Sequence, residues 1–317
     1  MTRYLVLAGG LSHERDVSLR SGRRVLDALR GADVEADLRD ADAGLLDALA
    51  DGAYAAVLVA LHGGPGEDGA LREVLELAGA PYVGSTPSAC RMAWDKPTAK
   101  ALTSRAGLTT PHAAVLPHAT FRELGAGAVI DRLVDHLGLP LMVKPARGGS
   151  ALGATAVHEA AGLPSAMVTC FSYGEAALVE QLVDGTELAV TVVDTGDGPQ
   201  ALPAVEIHPV DGVYDYAARY TAGQTDFFVP ARLDDAVAAE VGRVAVAAHE
   251  VLGLRDLSRV DLVVDADGAV HLLEVNVSPG MTETSLLPMA VDCAAASGGP
   301  AFGALLRALL EQAAARG

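Results

Sequence analysis

Residues 259–288 read RVDLVVDADGAVHLLEVNVSPGMTETSLLP, two apolar runs around Asp267-Gly268 followed by a Ser-Pro-Gly loop. An Asp-Gly pair between apolar runs predicts a two-residue turn in an antiparallel β-hairpin. Side chains alternate between the faces of a strand, so this turn sets which residues share a face. The polar face carries Arg259, Asp261, Glu274 and Asn276. The other face carries Val260, Leu262, Val264, Leu273 and Val275, which predicts a buried core.

The polar face of this hairpin has the groups of a cation site. Asp261 lies opposite Glu274 in the predicted register, and Asn276 lies opposite Arg259. Oxygen ligands of this kind suit Mg²⁺, which favours one or two carboxylates together with substrate phosphates. A surface hairpin with a paired arginine and aspartate is the alternative, because a three-residue loop would shift the register by one residue and scatter the cluster.

The composition predicts a globular chain of two or three domains, since it has 317 residues and 50% of them are hydrophobic. A formal net charge of -18 argues against a partner such as nucleic acid or an anionic membrane. Three scattered cysteines fit a reduced cytosol. The stretch MTRYLVLAGG is too short for a signal peptide, and no apolar run approaches the ~20 residues of a transmembrane helix. We therefore expect a cytoplasmic protein.

The first hundred residues alternate between strand and helix patterns. Predicted strands cover residues 4–8 and 55–60, and predicted helices cover 18–30, capped by Ser18, and 70–77. This alternation indicates a mostly parallel sheet, whose ligands bind in the loops after the strands. The polar residues in those loops include Glu14, His62, Glu67 and Asp68. A solvated acid at Glu14 and a packed histidine at His62 remain alternatives.

The middle of the chain has two features suited to phosphate. Asp95 is predicted to cap a helix that carries Lys96 in its first turn, a poor place for a cation unless an anion lies close by. After a predicted helix over 121–137 and a strand over 141–144, the segment KPARGGSALG joins Lys144 to a short hydroxyl-bearing loop. Backbone N–H groups of such a loop can surround phosphate oxygens. A solvated surface lysine at Lys96 and a plain hairpin with a glycine-rich turn are the alternatives.

The later segments add candidate ligand contacts and a candidate lid. Residues 177–193 predict two strands around Asp184-Gly185, with Glu180 and Glu187 able to bind a ribose or an adenine amine. Residues 206–225 predict a long polar loop, and loops of this length are often lids. Alanine-rich residues 234–252 predict an amphipathic helix, and residues 302–313 predict a closing helix.

Taken together, these segments resemble the D-alanine–D-alanine ligases, which have the ATP-grasp fold. The motifs that carry the resemblance are, in chain order, GGLSHERDVSLRSG, ALHGGPGEDG, YVGS, WDK, VKPARGGSALG, EQLVDGTE, YDYAARYT, RVDL and LLEVNVSPGMTETSLLP. The resemblance covers nearly the whole chain. It implies a mixed α/β fold with an N-terminal Rossmann-like substrate-binding domain over 1–94, a central ATP-grasp subdomain over 95–182, and a C-terminal ATP-grasp subdomain with lid and metal site over 183–317.

The resemblance also implies a role for each matching residue. The implied catalytic residues are Glu14, Ser150, Tyr220, Arg259 and the backbone N–H of Gly280. His62 lies beside the first D-alanine, while Ser285 and Leu286 match the contacts to the second substrate's carboxylate. The implied nucleotide contacts are Lys96, Lys144, Glu180, Leu182, Glu187, Arg219 and Leu273. Asp261, Glu274 and Asn276 match the residues that hold two Mg²⁺ ions, for which Mn²⁺ can substitute.

The activity that the resemblance implies is ATP-dependent joining of two D-alanine molecules through a D-alanyl phosphate, for peptidoglycan precursor synthesis and hence cell-wall biogenesis and cell shape. It also implies a homodimer. Four positions depart from the usual family pattern: Arg219 stands for lysine, Ala151 for serine, WDK for MDK, and Glu283 adds a charge before Ser285. A related ligase with D-lactate, D-serine or a natural-product amino acid as acceptor, and a catalytically silent ATP-binding homologue, are the alternatives.

Overall fold

The computed structural model describes residues 2–50, 52–210 and 223–317, and its first part is a parallel sheet of order β2-β1-β3-β4. The strands are β1 (Tyr4–Ala8), β2 (Ala36–Asp40), β3 (Val57–Val59) and β4 (Tyr82–Val83). The helices between them are α1 (Arg15–Gly31), α2 (Leu45–Ala50) and α3 (Ala70–Leu77), with a 3₁₀ turn over Gly64–Gly66. The predicted parallel sheet is confirmed within these residues.

The predicted start of α1 at Ser18 is wrong, because the helix begins at Arg15. The Ser18 hydroxyl serves the tertiary structure instead of a helix cap. It accepts a hydrogen bond from the Gly9 N–H and donates one to the Ala60 carbonyl, both at 2.8 Å. Ser18 therefore ties α1 to the carboxyl ends of β1 and β3, where the candidate loops begin.

Two helices lead from the first sheet into the second. Helix α4 covers Pro87–Trp94 and α5 covers Lys96–Arg105, and Asp95 caps α5 by accepting a hydrogen bond from the Thr98 N–H, as predicted. The second sheet is antiparallel, in the order β5-β8-β6-β7. Its strands are β5 (Ala113–Pro117), β6 (Leu141–Pro145), β7 (Thr155–Val157) and β8 (Ala176–Gln181).

The helices of this second part differ from the prediction in one respect. They are α6 (His118–Leu124), α7 (Ala126–Leu137) and α8 (Leu163–Phe171), with a 3₁₀ turn over Ala160–Gly162. A single helix over 121–137 is wrong, because Gly125 has a φ of 86° and separates α6 from α7. The glycine-rich segment after Lys144 does connect two antiparallel strands, β6 and β7, so it is both a hairpin connection and an irregular loop.

The third sheet has the order β12-β11-β9-β13-β14, with β10 paired to β9. The strands are β9 (Thr186–Val193), β10 (Gln200–Ala201), β11 (Val205–Pro209), β12 (Thr225–Phe228), β13 (Leu257–Val264) and β14 (Val270–Asn276). The helices are α9 (Asp235–Val251), α10 (Leu286–Ala296) and α11 (Phe302–Ala314). The loop predicted to begin at residue 206 begins later, since Val205–Pro209 pairs with Thr225–Phe228. Residues 211–222, most of that predicted loop, lie outside the described residues.

The last helix returns to the first sheet. Leu305, Leu306 and Leu309 of α11 pack in one buried cluster with Val6 of β1 and Val25 of α1. Met281 and Leu287, which flank the start of α10, belong to the same cluster. This packing brings the loop after β14 against the carboxyl ends of β1 and β3, so segments far apart in sequence meet there. Within the described residues, every helix is too short or too polar to span a membrane.

Candidate active site

The hairpin of β13 and β14 places the predicted polar cluster on one face. Asp261 pairs with Glu274 and Arg259 pairs with Asn276, as predicted. All four side chains are buried or only partly exposed. Arg259 donates two hydrogen bonds to Asp261, from Nε at 2.7 Å and from Nη2 at 2.8 Å. This two-point contact fixes the plane of the guanidinium.

The turn of this hairpin differs from the prediction. The Asp265 N–H donates to the Ala269 carbonyl, and the Gly268 N–H donates to the Asp265 carbonyl, so the loop has three residues and not two. Gly268 takes the left-handed conformation, with a φ of 81°, that such a loop requires. The extra loop residue shifts the register near the turn, where Leu262 pairs with Leu272.

A bulge at Leu273 restores the register at the polar end. Leu262 pairs with Leu272 and Asp261 with Glu274, so Leu273 is the additional residue on β14. Leu272 takes the core position, with 2% exposure, while Leu273 is partly exposed. The prediction of Leu273 as a core residue is therefore wrong. Its position is compatible with the contact to a nucleotide base that the family resemblance implies.

A cavity beside this hairpin joins the three parts of the chain. Its lining includes Glu14, His62, Ser150, Arg259, Asn276, Gly280, Ser285 and Leu286, and its empty volume of about 570 Å³ includes open solvent at its mouth. A second cavity is lined by Trp94, Lys96, Gly148, Glu274 and other residues. Glu67, Ser150, Arg259 and Asn276 line both, so the two cavities are neighbouring parts of one cleft.

Glu14 lines the first cavity and is 7% exposed. The Ser150 hydroxyl donates a hydrogen bond to Glu14 Oε1, across 136 positions of sequence. Ser150 has a φ of 51°, an unusual conformation for a residue with a side chain. Gly63 lies so close that a Cβ on it would stand 2.3 Å from Glu14 Oε2. The carboxylate is thus held at a fixed place in the cavity wall, where it suits an ammonium group.

His62 is buried and both of its ring nitrogens are used. Nδ1 lies 3.0 Å from the Ser278 carbonyl, which can only accept, so Nδ1 carries the proton. Nε2 then accepts from the Ser21 hydroxyl at 2.8 Å, and that hydroxyl accepts from the Met281 N–H. Burial lowers the pKa of His62 to about 4, and the charge of Arg259 adds to this. His62 is therefore a neutral group that docks the loop after β14 onto the first sheet.

Glu67 is a second buried carboxyl in the cleft wall, and the sequence assigned no role to it. Its Oε1 accepts a hydrogen bond from the Gly63 N–H at 2.7 Å. Burial, with the nearby charge of Glu14, raises the pKa of Glu67 to about 7. Arg259 and Lys96 act in the opposite direction. Near neutral pH this carboxyl is therefore close to its pKa, where the protonated and ionised forms are both present.

Two lysines approach the cleft from the central part of the chain. Lys96 Nζ donates to the Gly148 carbonyl at 2.6 Å and lies 3.5 Å from Glu274 Oε2. Lys144 Nζ lies 2.5 Å from Glu180 Oε1. Burial opposes the charge on Lys144, but Glu180 and Glu274 outweigh it and leave its pKa raised. Lys96 lines the cleft and is positioned for an anion there, while Lys144 is held by Glu180.

Glu180 is enclosed by lysines. It is 2% exposed, and its second oxygen accepts a hydrogen bond from Lys100 Nζ at 2.8 Å. Both carboxylate oxygens are thus engaged by ammonium groups. Sequence reasoning assigned no role to Lys100, although it lies one helical turn after Lys96 on α5 and shares its face.

The loop before α10 forms the far end of the cleft. Gly280, Thr282, Ser285 and Leu286 line the first cavity. The Thr282 N–H donates to Ser285 Oγ at 2.9 Å, which fixes the hydroxyl beside Gly280. Leu286 is the first residue of α10, and its side chain is buried. A helix N-terminus attracts negative charge, so this end of the cleft suits a carboxylate.

The structure says less about the remaining predicted site residues. Leu182 and Glu187 are partly exposed, the first just after β8 and the second on β9 opposite Val263. Arg219 and Tyr220 lie outside the described residues.

The predicted metal ligands fit a cation that prefers oxygen. Asp261 and Glu274 lie side by side, and Asn276 follows on the same face of β14. Over the described ranges, no three His, Cys, Asp or Glu side chains are grouped so that they could hold a metal ion by themselves. Mg²⁺ commonly completes its coordination with substrate phosphates and water, so two carboxylates and an amide are a suitable protein contribution.

The chain is similar to a known protein family and to individual members of it. The family described as "D-ala D-ala ligase C-terminus" matches residues 102–311. A D-alanine–D-alanine ligase of Bordetella petrii is 44% identical over 285 residues, 90% of this chain and 85% of that protein. Another from Anaeromyxobacter dehalogenans is 43% identical over 286 residues, 90% of each chain.

Solved structures are similar over the full length. The D-alanine–D-alanine ligase from Bacillus anthracis complexed with ATP is 29% identical with a TM-score of 0.81, covering 98% of this chain and 96% of that one. The VanG D-Ala:D-Ser ligase from Enterococcus faecalis is 25% identical, also with a TM-score of 0.81, covering 98% of this chain and 99% of that one.

Proposed function

The chain belongs to the D-alanine–D-alanine ligase family, and from that premise we propose that it joins two D-alanine molecules in a reaction driven by ATP. Its structural relatives confirm the predicted ATP-grasp fold. The observation that carries the proposal is the meeting of Glu14, Ser150 and Arg259 in one cavity wall, beside the paired carboxylates Asp261 and Glu274. These groups suit an amino acid at one side and phosphate groups at the other.

The first D-alanine binds by its two charged ends. Glu14, oriented by the Ser150 hydroxyl, takes the ammonium group. His62 stays neutral and holds the wall of the pocket, since both of its nitrogens are already bonded. The substrate carboxylate then points toward Arg259, whose guanidinium is fixed by Asp261. This orientation presents the carboxylate to the phosphate side of the cleft.

The reaction must activate that carboxylate, because a carboxylate is a poor electrophile. Transfer of the terminal phosphate of ATP gives a D-alanyl phosphate, and the amine of the second D-alanine displaces phosphate from it. Lys96 and Lys144 neutralise the negative charge that develops during transfer. Mg²⁺, which Asp261, Glu274 and Asn276 would hold, supplies further neutralisation of phosphate charge. Arg259 and the Gly280 N–H stabilise the oxyanion that forms when the amine attacks.

The second D-alanine binds with its carboxylate at the N-terminus of α10. Ser285 and the backbone of Leu286 lie there, and they line the same cavity as Glu14. Glu283, exposed in the same loop, is the departure that bears most directly on the acceptor. D-Alanine is the proposed acceptor, and D-serine, D-lactate and other amino acids are the competitors to test.

An acceptor panel tests the proposal. Purified protein is incubated with ATP, Mg²⁺ and D-alanine as donor, and phosphate release and the dipeptide are measured for each acceptor. We expect D-alanyl-D-alanine as the only product, with no mixed product from any other acceptor. Turnover only with another acceptor would replace the proposed substrate, and nucleotide binding without phosphate release would favour a silent homologue.

Five further properties are part of this proposal. We propose two Mg²⁺ ions per active site, with Mn²⁺ as a substitute, a nucleotide contact by Arg219 and a catalytic role for Tyr220. We propose a homodimer acting in the cytoplasm, where it supplies peptidoglycan precursors. We also propose domain limits of 1–94, 95–182 and 183–317. Metal titration tests the ions, Arg219→Ala and Tyr220→Phe test the two residues, sedimentation tests the dimer, fractionation of cells tests the location, and limited proteolysis tests the domain limits.

A further inference from the structure

Glu180 and two lysines form a buried cluster that the proposed reaction uses only in part. Lys144 Nζ lies at 2.5 Å from one oxygen of Glu180, and Lys100 Nζ lies at 2.8 Å from the other. The three residues come from β8, β6 and α5, so the cluster exists only in the folded chain. Glu180 is 2% exposed and Lys100 is 7% exposed, which makes all three charges strongly coupled.

The two lysines differ in what else they face. Lys144 lies close enough to Glu274 and Asp261, the proposed metal ligands, for their charges to raise its pKa. Burial lowers the pKa of Lys100, although Glu180 opposes this. Lys144 and Glu180 lie on the paired strands β6 and β8, whereas Lys100 reaches the second oxygen of Glu180 from α5.

The net charge of the cluster depends on Lys100. With it, two ammonium groups share one carboxylate and the cluster carries one positive charge. Without it, Glu180 and Lys144 form a neutral pair, and a movement of Lys144 toward a phosphate would leave a buried carboxylate without compensation. Leaving a buried charge unpaired is strongly unfavourable.

We propose that Lys100 is a positioning residue for nucleotide binding: it holds and neutralises Glu180 so that Lys144 can transfer part of its hydrogen bonding to a nucleotide phosphate. This inference rests on the proposed function, in which the cleft binds ATP with Lys144 beside its phosphates. Lys100 itself touches neither substrate nor nucleotide.

The chain provides a direct reporter for the test. Trp94 is its one tryptophan, and it lines the same cavity as Lys96 and Glu274. Titration with ADP and Mg²⁺ while following tryptophan fluorescence gives nucleotide affinity without turnover. If the wild-type protein fails to bind ADP, the proposed function itself is overturned. If it binds ADP, the variants below test the role of Lys100.

Three variants decide the role of Lys100. Lys100→Met removes the charge and is expected to weaken ADP binding at least about tenfold, the scale of one lost hydrogen bond to a charged group, with the KM for D-alanine unchanged. Lys100→Arg keeps the charge and is expected to restore most of the affinity. Should Lys100→Met not fold, Lys100→Gln replaces it, because glutamine keeps a donor to Glu180 without the charge. Wild-type ADP affinity in a folded, uncharged variant overturns the proposal.

A double variant separates positioning from a purely structural role. The Glu180→Gln single variant measures any contact that Glu180 itself makes to the nucleotide. In Lys100→Met/Glu180→Gln the carboxylate that captures Lys144 is gone, so adding Lys100→Met to Glu180→Gln should weaken ADP binding much less than adding it to wild type. A structural ion pair predicts lower thermal stability in Lys100→Met, with no such difference in ADP affinity. An equal loss of ADP affinity in both backgrounds therefore refutes the inference.

Discussion

Asp261 lies directly opposite Glu274, although the loop that joins their strands is one residue longer than the register between them requires. The bulge at Leu273 takes up the extra residue, so the two carboxylates stay on one face of the hairpin. The same bulge places Leu272 in the core and turns Leu273 away from it. One local irregularity thus sets both the cation site and the position of a candidate base contact.

Substitution of the two neighbouring leucines should separate packing from binding. Leu272→Ala removes a fully packed side chain and should lower the free energy of unfolding by about 2–5 kcal/mol. Leu273→Ala should cost less than ~1 kcal/mol but weaken ADP binding, because its side chain lies outside the core. Urea unfolding and ADP titration measure the two effects. Equal losses of stability in the two variants would contradict the assignment of Leu273 as the bulge residue outside the core.

Neutralising either paired carboxylate should abolish most activity while the fold survives. Asp261→Asn and Glu274→Gln are each expected to lower kcat at least about 100-fold, on the scale of a removed electrostatic partner in a transition state. The apparent affinity for Mg²⁺ should fall as well. Asp267→Asn, in the exposed loop of the same hairpin, serves as the control and should behave as wild type. Unimpaired Mg²⁺-dependent turnover in either variant would refute the metal assignment.

Gly63 and Gly64 are neighbouring positions that test the place of Glu14. Both have positive φ, 67° and 42°, but Gly63 also has a ψ of 163°, so an alanine there carries the larger backbone cost and its stability must be measured beside its KM. Only at Gly63 would the new Cβ meet Glu14 Oε2, at 2.3 Å, while the space beside Gly64 is open. We expect Gly63→Ala to raise the KM for D-alanine at least about tenfold, the scale of one charge-assisted hydrogen bond. Gly64→Ala should raise the KM for D-alanine little. A similar rise in both variants would contradict the placement of Glu14 in the pocket wall.

Glu67 should make the stability depend on pH in an unusual direction. Its folded-state pKa of about 7 lies above the ordinary 4.5, so the stability it contributes is fully present below about 4.5 and is lost as the pH rises to about 7. Glu67→Gln removes this loss. Relative to wild type, the variant should gain up to about 3 kcal/mol between pH 4.5 and 7, with no further change above that range. Urea unfolding at several pH values measures the difference, and a constant difference would exclude the raised pKa.

Arg316 should matter more than its place near the C-terminus suggests. Its guanidinium donates two hydrogen bonds to Asp256, which is 0% exposed, and one to the Tyr82 carbonyl. Arg316→Ala leaves that carboxylate buried without its cation and should lower the free energy of unfolding by about 3 kcal/mol. Arg307→Ala breaks an exposed pair with Glu311 on α11 and should change the free energy of unfolding little. Similar losses in the two variants would show that the Asp256 contact adds nothing.

Local sequence signals predicted much of the fold because they act over a few residues. Helix α3 and strand β1 have the predicted bounds, and Asp95 caps α5 as predicted. Prediction failed where a longer-range contact competed with a local signal. Ser18 resembles a helix cap, but its hydroxyl is bonded to the ends of β1 and β3. Gly125 ends α6 by its positive φ, which apolar periodicity does not reveal.

The sequence by itself determined that Arg259, Asp261, Glu274 and Asn276 share a face of the β13–β14 hairpin, since alternation along a strand and complementary apolar runs allow few registers. It also determined the family, because the motifs follow one another in order. Only the tertiary structure decided that a three-residue loop and a bulge at Leu273 join those strands, that His62 docks on Ser278, and that Lys100 and Lys144 share Glu180. The physical reason is distance along the chain: periodicity and caps are local, whereas these contacts depend on how three separate sheets pack around one cleft.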